Sequence, residues 1–217
     1  MCRLLAVQSN EAISVGCHLR DFAAIAKNSK EYQGHGWGCA YRVRDGFRVH
    51  KDIRPIWESE LPSLPPTTML IAHARSAFRD EGIAVENNMP FTDDDEKTVF
   101  AFNGELRGVR IREEGRIGAE KVFRFAKRFE ELGWEKALLK ATAIIEKRSE
   151  YVRALNVVLS DGVRVYASSR FNEDPEYFTM YYRRGADGAA VVCSEPLPMF
   201  PRREWSPIAN GEVRTFP

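Results

Sequence analysis

The chain has 217 residues, 44% apolar and 29% charged, an ordinary globular composition long enough to bury a sizeable core. Its 32 lysines and arginines nearly balance 31 aspartates and glutamates, so net charge gives no case for nucleic acid or an acidic membrane as a partner. No apolar run approaches the roughly 18–20 residues that span a bilayer, and the opening apolar stretch is too short for a signal peptide, so a cytosolic location is expected. Residues 2–8 read as a short apolar strand, and Asn10 is placed to cap a helix over 11–27, with Ile13, Leu19, Phe22, Ala23 and Ala26 near helical spacing. A glycine-rich stretch, Gly34 to Gly38, leads to a hairpin through Asp45-Gly46. Residues 68–74 and 98–103 are nearly continuous apolar runs, as expected of strands buried on both faces.

From Gly118 the period changes. Val122, Phe125, Ala126, Phe129 and Leu132 mark one amphipathic helix, and Ala137, Leu138, Ala141, Ile144 and Ile145 mark a second, with Gly133 between them. Strands are expected again at 154–159, 163–168, 177–182 and 189–193, with a tight turn at Asp161-Gly162. Strands, a helix pair, then more strands predict an α+β fold rather than alternating βαβ units, and 1–217 read as a single domain.

The four cysteines, Cys2, Cys17, Cys39 and Cys193, are widely scattered, which argues against a disulfide framework or a four-cysteine zinc site. His35 and Cys39 are four apart, but Gly34, Gly36 and Gly38 disfavour a helix that would put them on one face, so no metal site is assigned. Cys2 stands out because it follows the first methionine. Removal of Met1 would leave a thiol and a free α-amine on one residue. The thiol, with pKa about 8.5, is mostly protonated at neutral pH, and an amine of pKa about 7.7–8.0 can take its proton.

Other residues follow Cys2 in a telling order. They are Trp37 between two glycines, His73-Ala74-Arg75, Asn87-Asn88-Met89-Pro90-Phe91 and Phe102-Asn103-Gly104-Glu105, then Ser194-Glu195-Pro196-Leu197, Trp205 and Asn210-Gly211. Together this ordered set resembles the class II glutamine amidotransferases, most nearly the single-domain branch with the amidohydrolase of ergothioneine biosynthesis and the glutathione-degrading amidotransferase. The resemblance runs from residue 2 to about 213. It implies an N-terminal-nucleophile hydrolase-like four-layer αββα sandwich. It also implies amide hydrolysis of a glutamine-like or γ-glutamyl substrate through a Cys2 thioester. By the resemblance, Asn103 and the Gly104 N–H form the oxyanion hole, and Arg75, Ser76 and Gly118 lie at the substrate, Arg75 holding its carboxylate with a planar fork. An arginine in the apolar stretch Met69–Phe78 should need an anionic partner. His73 is expected to be a hydrogen-bonded strand histidine, and Trp37 a packing wedge beside the nucleophile.

Three positions depart from the family pattern. Gly118-Ala119-Glu120 stands where Asp-Ser-Glu usually opens the helix, so the aspartate for the substrate's α-ammonium is missing unless Glu113 or Glu114 replaces it. Phe78 stands in place of a threonine, and Met89 in place of a histidine. Two alternatives therefore accompany the hydrolase reading: a glutaminase subunit passing ammonia to a separate acceptor enzyme, and a non-catalytic ligand-binding relative. No cofactor is expected. The expected partners are a small-molecule amide substrate and, where ammonia is passed on, the acceptor enzyme; a homodimer is left open.

Overall fold

The computed structural model describes residues 1–217. In chain order the first half holds β1 (Arg3–Ile13), α1 (Val15–Lys27), β2 (Trp37–Val43), β3 (Gly46–Asp52), β4 (Thr67–Ala74), β5 (Phe91–Thr92) and β6 (Val99–Arg107). The second half holds α2 (Gly118–Lys127), α3 (Trp134–Lys147), β7 (Tyr151–Ser160), β8 (Val165–Ser168), α4 (Pro175–Phe178), β9 (Tyr181–Arg184), β10 (Ala190–Cys193), β11 (Ser206–Pro207) and β12 (Val213–Phe216). Two sheets result, a seven-stranded one ordered β11-β9-β10-β1-β4-β2-β3 and a five-stranded one ordered β12-β8-β7-β6-β5. Every pairing in both is antiparallel.

The period-two alternation of β1 explains the layering. Leu4 and Ala6 enter a core shared with Phe100, Phe102 and Val158 of the second sheet, while Leu5 and Val7 enter a core shared with Leu19, Phe22 and Ala26 of α1. On β4, Met69 and Ile71 face the second sheet, and Leu70, Ala72 and Ala74 face α1. The helices α2 and α3 pack on the five-stranded sheet through Val122, Phe123, Leu138 and Ile145. The order of layers is thus helix, sheet, sheet, helices. No helix is long and apolar enough to cross a membrane.

Several boundaries differ from the sequence expectation. The first strand runs on to Ile13, so Asn10 belongs to it, and α1 begins at Val15. Pairing with β4 extends that strand, its register shifting between Gln8 and Ile13, and this outweighs Asn10's capping preference. Phe129 and Leu132 fall outside α2: Phe129 precedes a one-turn 3-10 segment over Glu130–Leu132, and Leu132, which ends that segment, is exposed. The strand expected at 177–182 is split. Tyr177 and Phe178 end the short helix α4, which opens on Pro175, a residue suited to a first helical position, and β9 starts only at Tyr181.

Candidate active site

Cys2 sits immediately before β1, in step with Leu4 and Ala6, and is 8% exposed. Because β1 is hydrogen-bonded on one side to β10 and on the other to β4, the chain end is fixed at the middle of a sheet. The Cys2 thiol donates to the Ser76 carbonyl at 3.6 Å, and the Ser76 N–H points back to Sγ at 3.4 Å. Burial pushes the thiol up from its ordinary range. The positive chain terminus, the Ser76 N–H and the Arg75 guanidinium pull it back, while Glu31 adds to the upward push. Cys39 and Cys193 lie in the α1-side core, where burial raises both to about 12.

Arg75 is 5% exposed and follows directly on β4, one residue before the backbone that holds the thiol. It does not have the anionic partner that its apolar surroundings suggested. Its guanidinium donates to the carbonyls of Gly82 at 2.8 Å and Ala84 at 3.4 Å and to Asn88 Oδ1 at 3.2 Å. Three neutral acceptors on the 82–88 loop therefore satisfy a buried cation and leave its charge uncompensated, as a site for an anion requires.

Asn103 and Gly104 stand within β6, not in a turn, paired opposite Asn156 and Leu155 of β7. The Asn103 side chain is fully buried, and neither its amide nitrogen nor its oxygen has a hydrogen-bond partner. Gly104 also has a local reason to be glycine. A Cβ there would lie 2.0 Å from the Ala154 carbonyl oxygen of β7, so the strand pairing admits only glycine.

His73 meets the expected hydrogen bonding only in part. It is completely buried, and its ring nitrogens have no partner of good hydrogen-bond geometry, the Phe102 backbone being the polar group that bears on it. Burial, with Arg75 and Lys51 adding to it, holds the imidazole down at about 3. Trp37 packs in the α1-side core and donates its indole N–H to Ser59 Oγ at 2.9 Å. It pairs opposite Ala74, on the other face of the strand from His73. His35 and Cys39 go separate ways: His35 Nδ1 accepts the Ala77 N–H at 2.8 Å, and Cys39 is buried in the core.

Gly118 opens α2 at the surface with ordinary helical backbone, and a Cβ built on it meets nothing within 4 Å. Of the two acids considered as substitutes nearby, Glu113 is already ion-paired to Arg128. The carboxylate found next to the nucleophile is one that sequence reasoning passed over. Glu31 takes the α-ammonium of Met1 and is braced by Arg153 at 3.0 Å. The Met1 carbonyl in turn accepts from Tyr177 Oη at 2.7 Å and from the Gln33 amide. No local pattern marks these residues, which lie 30 to 176 positions from Met1. A surface cavity lies elsewhere, lined by Lys51, Phe91, Arg116, Glu120 and Lys127, and touches none of Cys2, Arg75, Asn103 or Gly104.

Known proteins resemble the chain in sequence family and in fold. The sequence profile of the glutamine amidotransferases class-II matches residues 1–184. YafJ, a glutamine amidotransferase-like protein of Escherichia coli (strain K12), is 26% identical, the alignment covering 100% of this chain and 97% of YafJ. Among solved structures, a glutamine aminotransferase class-II domain protein from Silicibacter pomeroyi superposes with TM-score 0.65 at 20% identity, covering 99% of this chain and 94% of its own. A protein from Pseudomonas aeruginosa PA01, predicted to be a glutamine amidotransferase, gives 0.61 at 19% identity over 99% and 97%. The glutamine phosphoribosylpyrophosphate amidotransferase of Bacillus subtilis gives 0.63 at 16% identity, covering 89% of this chain and 42% of that one. These three share its fold, the N-terminal-nucleophile hydrolase sandwich of two sheets between helices. With the profile spanning most of its length, the chain belongs to the class II glutamine amidotransferases.

Proposed function

We propose that the protein hydrolyses the side-chain amide of a glutamine-like or γ-glutamyl substrate through a thioester on Cys2, after loss of Met1. The observation that carries this reading is the setting of Cys2: a buried thiol at the chain end, bonded to Ser76 and next to the uncompensated charge of Arg75. In the processed chain the α-amine takes the thiol proton, and sulfur attacks the amide carbon. The oxygen becomes an anion, stabilised by the Asn103 amide N–H and the Gly104 backbone N–H. The ammonium then gives its proton to the leaving nitrogen, the C–N bond breaks, and ammonia, or the amine of a γ-glutamyl amide, departs. Water, deprotonated by the same amine, attacks the thioester; the C–S bond breaks and the acid is released.

Asn103 supports its assigned part through what it lacks. Burying an amide without partners costs about 1–3 kcal/mol, a cost that an arriving oxyanion would offset. Arg75 would receive the substrate's carboxylate, with Ser76 beside it. The exposed Gly118 supplies no anion for an α-ammonium, which favours substrates altered at that group over free glutamine.

Denaturing mass spectrometry of the protein after incubation with a γ-glutamyl electrophile tests the reading. The expected result is one adduct, on Cys2, in a chain lacking Met1. An adduct on another cysteine, or full turnover by chains that retain Met1, would overturn it.

A further inference from the structure

A dense polar cluster that the reaction above leaves unused surrounds the peptide bond between Met1 and Cys2. The Met1 carbonyl oxygen is held by Tyr177 Oη at 2.7 Å and by the Gln33 amide, and the Met1 ammonium by Glu31. Gln33 is completely buried; its amide nitrogen also reaches the Glu31 carbonyl at 2.8 Å and Tyr177 Oη at 3.1 Å, while its oxygen has no partner. Ser29 Oγ lies 3.3 Å from Tyr177 Oη, which ties the group together. Cleaving Met1 strips all three residues of the groups they hold. The Met1 oxygen and the Cys2 nitrogen are bonded to one carbon, at about 1.23 and 1.33 Å, so the residues that grip the oxygen flank the peptide unit that processing turns into the free amine.

We propose that Gln33 and Tyr177 are positioning residues for the α-amine of processed Cys2, and that Glu31, braced by Arg153, is that amine's counter-ion. The proposal rests on the reading of Cys2 as the processed nucleophile. The chemistry of the cluster suits the exchange. A carbonyl needs donors, and an amine acting as base needs acceptors for its protons. The tyrosine hydroxyl can do either, and turning the Gln33 amide over presents its unpartnered oxygen. Glu31 then stabilises the ammonium that forms when the thiol gives up its proton. The other charged or titratable groups bearing on the chain end are Arg75, His35 and His73, with Arg3 on Tyr177. Arg153 in turn is shared among Glu31, Glu105, Glu173 and Asp174.

The test is direct titration of the amine, by the pH dependence of its acetylation with acetic anhydride. A Cys2→Ala background removes the competing thiol, and intact mass verifies that Met1 is gone. The amine should titrate above the roughly 7.7–8.0 of a free chain end. It should fall by about one unit in Glu31→Gln, fall in Tyr177→Phe, and be restored by Glu31→Asp. In protein that keeps Cys2, Tyr177→Phe should lower kcat roughly tenfold at neutral pH with KM unchanged. An amine that titrates like a free chain end and moves in neither Glu31→Gln nor Tyr177→Phe overturns the proposal. If Tyr177→Phe does not fold, the Glu31→Gln and Glu31→Asp pair decides alone, since that carboxylate is 27% exposed and tolerates exchange. An active Cys2→Ala, or active protein retaining Met1, overturns the nucleophile reading instead, whatever the amine does.

Discussion

Asn103 and Asn156 face each other across the β6–β7 ladder, the same side chain in two opposite conditions. Asn156 donates to the Phe178 carbonyl at 2.7 Å and accepts the Arg170 N–H at 2.8 Å, whereas Asn103 has nothing. One amide is a structural tie, and the other is held in reserve.

Replacing each should therefore separate stability from rate. Asn156→Ala should destabilise by about 1–3 kcal/mol through the groups it leaves unpaired. Asn103→Ala should lower the chemical rate roughly a hundredfold while leaving the melting temperature unchanged or higher. Thermal melts beside single-turnover rates check both, and a large melting shift in Asn103→Ala would contradict the assignment.

The four thiols should divide in the same way. Cys2→Ala and Cys2→Ser should abolish turnover, since a hydroxyl is a far poorer nucleophile near neutral pH. Alanine at Cys17, Cys39 or Cys193 should leave kcat within about twofold, with a stability loss where the site is buried. Steady-state kinetics of the five variants is sufficient, and an inactive Cys39→Ala with an active Cys2→Ala would reverse the choice of nucleophile.

Gly104→Ala should fail for a reason unrelated to catalysis. Its methyl group would stand 2.0 Å from a backbone oxygen, so β6 and β7 must separate. The expected cost is roughly 3 kcal/mol or more, read as a lowered denaturation midpoint even without substrate.

Gly118→Asp tests the missing clamp. The position has room and helical backbone, so the variant should fold as well as Gly118→Ala. If this is the site for a substrate ammonium, the aspartate should raise kcat/KM for free L-glutamine by roughly ten- to a hundredfold, the effect of one charge-assisted hydrogen bond. Efficient glutamine use by wild type, with a strict need for the free α-amine, would contradict it.

His73 makes stability depend on pH in a defined direction. Its folded value, about 3, lies below the roughly 6.5 of an unfolded histidine, so acid favours the unfolded chain. The contribution is complete above about pH 6.5 and is lost at about 1.4 kcal/mol per unit as pH falls toward 3. His35 and His50 are depressed in the same direction by partial burial. The measurement is thus the difference between wild type and His73→Leu in chemical denaturation from pH 7 to pH 5. Parallel curves would show that His73 does not titrate this way.

What was legible in the sequence was whatever had a short period or a local signature. The apolar runs at 68–74 and 98–103 became β4 and β6 because strands buried on both faces need apolar residues at every position. The turns at Gly46 and Gly162 fell where expected, since both glycines have positive φ. Asn10 misled because its capping preference is local, while the extension of β1 depends on β4 some 55 residues away. Arg75 stood out as a cation in an apolar stretch and is buried, but in place of the expected anion it has neutral partners from a loop without pattern. Glu31, Gln33, Arg153 and Tyr177 could not be found in this way, because they meet only when α4 and β7 close over the chain end.

The central place of β1 reverses the usual behaviour of a chain terminus. First residues commonly fray and exchange their amide hydrogens within moments. Here the strand that starts at Arg3 is flanked on both sides, so its amides should exchange only when the whole seven-stranded sheet opens. An affinity tag fused ahead of Met1 would have to displace the contact with Glu31 and pass Tyr177, beside the central strand of the seven-stranded sheet. Fusion partners belong at the other end, where Pro217 is exposed.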